Sequence, residues 1–110
     1  MKIKLKENEK EAIAELKKEV LKKFPSAEFT LFGSAATGKA TSESDIDLLI
    51  LVDSPVDSKI EDEIFHISYT MELKYDVTFG EIVESKADWE KCESLEMPLC
   101  QEIWKHGIPL

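Results

Sequence analysis

Gly33-Ser34-Ala35-Ala36-Thr37-Gly38, a short polar link, then Asp45-Ile46-Asp47-Leu48-Leu49-Ile50-Leu51-Val52 is the stretch from which the rest of this chain can be read. The run from Asp45 to Val52 reads as a central strand, and its continuous apolar part implies burial on both faces. A strand sends alternate side chains to alternate faces, so Asp45 and Asp47 project together and Ile46 points the other way. Two carboxylates on one face of an apolar strand repel each other, and desolvation adds to the cost. A hard divalent cation relieves that conflict, because Mg2+ takes oxygen ligands and commonly uses one or two carboxylates plus substrate phosphates. Upstream, Phe29 to Phe32 reads as a strand ending at Gly33. Ser34 to Thr37 then forms the first turn of a short helix closed by Gly38. Unpaired backbone N–H groups at such a turn favour an anion. A phosphate cradle beside a carboxylate pair is the minimum equipment for phosphoryl or nucleotidyl transfer.

The remaining elements follow from hydrophobic spacing. Glu9 to Phe24 reads as a helix with Ile13, Leu16, Val20 and Phe24 on one stripe, Asn8 as its N-cap and Pro25 as its stop. Met1 to Lys6 alternates lysine with apolar residues and reads as an extended arm or a frayed end. Lys39 to Ser44 is a turn-like loop. Asp57 to about Leu73 is a second long helix, with Ile60, Ile64, Ile67 and Met71 inward and His66 at the surface. Tyr75-Asp76-Val77-Thr78-Phe79, rich in strand formers and ending at Gly80, reads as a third strand. Ser85 with Asp88 resembles a capping box that opens a short helix through Trp89. Met97 or Pro98 to His106 reads as the last helix, burying Leu99, Ile103 and Trp104. Gly107 is its C-cap, and His106 suits the negative helix end. Ile108-Pro109-Leu110 is an apolar tail. The expected class is α/β (α+β): one small mixed sheet flanked by helices, in a single domain over residues 1–110.

Composition narrows the function classes. The 110 residues carry 23 acidic and 14 basic side chains, a formal charge of −9. That balance argues against general nucleic-acid binding or attachment to an anionic membrane, both of which need a basic face. It suits an enzyme that recruits Mg2+, or one that docks on a basic protein. No segment resembles a signal peptide, and no apolar run approaches the ~20 residues of a membrane span, so a cytoplasmic protein is expected. Cys92 and Cys100 stand eight apart with no zinc-type spacing, which predicts free thiols.

Gly33-Ser34, ten residues, then Asp45-x-Asp47 resembles the signature of the polymerase-beta-like nucleotidyltransferase superfamily. The short chain is most similar to the minimal nucleotidyltransferases, the antitoxins paired with HEPN-domain toxins. The segment from Ser85 through Trp89-Glu90 to Gly107-Ile108 also looks like the tail of these proteins. The resemblance implies a third carboxylate on a neighbouring strand, and Asp76 is the only acidic residue of the expected third strand. Glu72 and Glu81 are its rivals if the register differs. It further implies that Asp45, Asp47 and Asp76 hold two Mg2+ ions, with Gly33, Ser34, Lys39 and Ser44 against the nucleotide. Relatives often carry Arg or Lys inside the Gly-Ser-x-x-x-Gly turn; here Ala35, Ala36 and Thr37 fill it, and Lys39 is the nearest cation.

By the same resemblance, the reaction is transfer of AMP from ATP to a tyrosine of a HEPN toxin, which neutralises the toxin. Larger relatives add a helical domain for the acceptor, so a partner chain is expected to supply the rest. Two other functions fit these residues. One is adenylylation of a small hydroxylated molecule such as an aminoglycoside, with a separate helical subunit. The other is a catalytically weak binding module that blocks its partner by occlusion.

Overall fold

A computed structural model describes residues 5–41 and 44–110. The expected N-terminal arm therefore lies largely outside the described residues, as do positions 42 and 43 of the loop before the central strand. In chain order the elements are α1 (Glu7–Lys23), β1 (Glu28–Phe32), α2 (Gly33–Thr37), β2 (Ile46–Val52), α3 (Ser58–Tyr75), β3 (Phe79–Ser85), α4 (Lys86–Ser94), α5 (Pro98–His106) and β4 (Ile108–Pro109). The sheet order is β3-β2-β1-β4. β1 runs antiparallel to β2 and to β4, whereas β2 and β3 are parallel. A parallel pair needs a long crossover, and α3 supplies it.

β2 is apolar on both faces because both are covered. Ile46, Leu48, Ile50 and Val52 pack with Ile13, Leu16 and Val20 of α1 and with Ile64, Ile67 and Met71 of α3. Leu49 and Leu51 face the other way, against Trp89 of α4 and Cys100 and Ile103 of α5. Asp45 and Asp47 have the parity of Leu49 and Leu51. They therefore continue the α4–α5 face at the end of the sheet where β2 begins.

The chain departs from expectation after α3. Tyr75 is helical, and the third strand begins at Phe79 instead of ending there. Tertiary contacts outweigh the strand propensity of residues 75 to 79. The Tyr75 hydroxyl donates to Glu15 of α1 at 2.6 Å, and Asn8, expected as an N-cap, instead donates to the Tyr75 carbonyl at 2.9 Å. Lys6 is the N-cap of α1. Asp76, placed on a strand by the sequence, is the left-handed C-cap of α3, with φ 56°. The Glu72 carboxylate then accepts the Phe79 N–H at 2.7 Å and fixes where the strand starts.

Three further corrections concern the C-terminal part. Cys92 and Cys100 are joined in a disulfide between α4 and α5, with Cα atoms 6.1 Å apart, and are not free thiols. The residues buried by α5 are Cys100 and Ile103, whereas Leu99 and Trp104 are exposed. The apolar tail adds a strand to the edge of β1, where Ile108 faces Leu31. Gly107 does close α5, in an extended conformation, and a side chain there would strike the Ile103 carbonyl. Two other caps are as expected: Ser85 accepts the Asp88 N–H, and Gly38 closes α2 in the left-handed region. Asp57, read as the first residue of its helix, is instead the N-cap of α3 and accepts the Ile60 N–H.

Candidate active site

The site forms where β1 ends, β2 starts and β3 starts. Phe32 is paired with Asp47 across the antiparallel ladder, which sets the next residue, Gly33, beside the Asp47 carboxylate. Gly33 has φ +72°, and a Cβ there would overlap Asp47 Oδ2. Only glycine meets both demands, since L-residues rarely adopt that φ and no room exists for a methyl group. On the other side, Gly80 of β3 is the register partner of Asp47. A Cβ at Gly80 would lie 2.8 Å from Asp47 Oδ1 and 4.0 Å from Asp45 Cβ. The Asp47 carboxylate thus sits between two glycines, with Asp45 beside the second.

Burial raises the Asp47 carboxyl above the ordinary carboxylate range, and the Asp45 charge raises it further. The two groups are therefore close enough to repel, as their strand parity implies. Their charge and oxygen chemistry fit one hard cation with nucleotide phosphates completing its shell.

The turn after Gly33 is short and tightly held. The Lys39 N–H donates to the Ser34 carbonyl at 2.9 Å, which folds the loop back over α2. The Lys39 side chain lines a cavity of about 360 Å³ between the turn and α5, together with Gly33, Thr37, Leu99, Ile103 and His106. His106 lies 3.7 Å from Glu102 one turn earlier. Ser44 is spoken for within its own loop: its Oγ accepts the Thr41 N–H at 2.9 Å.

The three expected carboxylates do not form one group. Asp76 stands off the strand, exposed, two residues before Thr78, whose carbonyl accepts the Ile46 N–H at 2.8 Å. Glu81 belongs to the opposite face of the sheet, where Ser68 of α3 donates to it at 2.6 Å. Among the described residues, no set of three His, Cys, Asp or Glu side chains could hold a metal ion together. Sequence reasoning missed Gly80 and the α5 wall. Glycine carries no chemistry to notice, and the proximity of α5 depends on how the α4–α5 hairpin folds over the sheet.

A strand–glycine turn–short helix beside two acids on the next strand, in a small mixed sheet backed by two helices, defines a polymerase-beta-like nucleotidyltransferase fold. The chain belongs to the nucleotidyltransferase domain family, whose model matches residues 13–99, and is a nucleotidyltransferase enzyme. It is 37% identical over 78 residues to a Methanocaldococcus jannaschii protein named "Putative protein adenylyltransferase MJ0141", covering 71% of this chain and 72% of that one. No solved structure matches the chain significantly. Among the described residues, no helix is long and apolar enough to cross a membrane.

Proposed function

We propose that this chain transfers AMP from ATP to a hydroxyl group of a partner protein, and that the partner is a HEPN-type toxin modified on a tyrosine. The observation that carries the chemistry is the Asp45–Asp47 pair packed against the Gly33 turn. The similarity to a protein named for protein adenylylation supports the acceptor class. In this reading the acceptor oxygen attacks the α-phosphorus of ATP. The bond from that phosphorus to the bridging oxygen of the β-phosphate breaks, pyrophosphate leaves, and the hydroxyl proton is lost. Asp45 and Asp47 hold a Mg2+ ion, which when bound neutralises charge on the phosphates. Gly33 lets the backbone approach the triphosphate, and Ser34 donates to it. Lys39 supplies from the loop the positive charge that the turn itself lacks.

The same site serves the rival acceptors, so the test must separate them. The chain is incubated with α-labelled ATP, Mg2+ and the product of the adjacent gene, with an aminoglycoside in a parallel reaction. Label on the partner protein, lost in Asp47→Asn, is the expected result. Label on the aminoglycoside alone favours a small-molecule acceptor. Stable binding to the partner without label, unchanged by Asp45→Asn, favours occlusion.

A further inference from the structure

Polymerase-type transfer with two metals needs carboxylates that bridge ions about 3.5–4 Å apart, so that one ion serves the leaving oxygens and the other the attacking one. On a parallel strand pair, the side chain able to share ions with Asp47 stands at its register partner. That partner is Gly80. The place where a third side chain would begin is already 2.8 Å from Asp47 Oδ1, and it also adjoins Asp45. The position is thus central to the site and carries no ligand.

The neighbouring acids do not substitute. Glu81 is one residue further along, hence on the opposite face, and is tied to Ser68. Glu72 is occupied by the Phe79 N–H. Asp76 ends a helix in a left-handed cap ahead of the strand. Two carboxylates balance one Mg2+; among the described residues no third carboxylate is grouped with them to meet the charge of a second. Octahedral Mg2+ with two carboxylates, phosphate oxygens and water is a complete shell.

We propose that this site holds one divalent cation, brought in with the nucleotide, and that Gly80 on β3 is the reason it holds no second. The inference rests on the nucleotidyl-transfer reading of Asp45 and Asp47. It follows that activation of the acceptor hydroxyl falls to a group on the acceptor side of the complex.

The test counts Mn2+ bound to the full chain in the presence of a non-hydrolysable ATP analogue, by electron paramagnetic resonance. One Mn2+ per chain is expected, with the spectrum of an isolated ion, unchanged in Asp76→Asn and in Glu72→Gln. Gly80→Asp is expected to take up a second ion and to show spin coupling; circular dichroism checks that it folds. Two coupled Mn2+ ions in the wild type would overturn the proposal, and whichever variant lost one would identify the third ligand. No Mn2+ bound with nucleotide, in a folded wild type, would instead overturn the nucleotidyl-transfer reading and this inference with it.

Discussion

Gly33 carries two constraints at once, a positive φ and contact with Asp47. Gly33→Ala therefore costs on the order of 1–2 kcal/mol in backbone strain and also displaces the carboxylate. We expect at least a tenfold loss of Mg-ATP affinity by calorimetry with the circular dichroism spectrum retained. Wild-type affinity would show that the turn does not approach the nucleotide. Asp47 has the opposite profile: without metal its charge is a liability, since it is part-buried beside Asp45. Asp47→Asn should melt at or above the wild-type temperature in EDTA while losing the stabilisation that Mg-ATP gives the wild type. Unequal legibility at this scale has a physical cause. Gly33, Asp45 and Asp47 are identifiable because their residue types and spacing have chemical meaning along the chain. Gly80 matters only through register with a strand more than thirty residues earlier, which no local pattern encodes.

At the scale of elements, the helices and β2 are readable because each has a strong apolar period or run. The start of β3 is not. Residues 75–79 are good strand formers, yet α3 keeps Tyr75 through its contact with Glu15, and the actual strand contains Gly80, Glu81 and Glu84. Glu81 pays for that position: burial raises its carboxyl, more than the Ser68 hydroxyl lowers it. A raised acid is protonated more readily in the folded state, so its contribution is present below the ordinary Glu range and is lost as pH rises through the raised value. Glu81→Gln keeps an acceptor for Ser68 and removes the charge. It should raise the melting temperature at pH 7 and change it little at pH 4; equal shifts at both would refute the burial argument. The α4–α5 hairpin gives another check. A disulfide closing so short a loop is worth on the order of 2–3 kcal/mol, so reductant should lower the melting temperature measurably. Cys92→Ser should melt like the reduced wild type and should not respond to reductant.

Over the whole molecule, the carboxylates lie at the open end of a sheet face whose other end is covered by α4 and α5. The fold class was legible from one stretch, because a strand–turn–strand unit with acids at its rim leaves few ways to bury Leu48 to Val52. The partner was not, since an acceptor surface leaves no periodic mark in the chain. A net charge of −9 repels a triphosphate, so the proposed function requires a divalent metal to attract one. The most direct measurement is therefore the affinity of the wild-type chain for ATP, by calorimetry, in Mg2+ and in EDTA. The account predicts binding in Mg2+ and a loss of about a hundredfold or more in EDTA, a difference of roughly 2.7 kcal/mol. Equal affinity in the two buffers would contradict it.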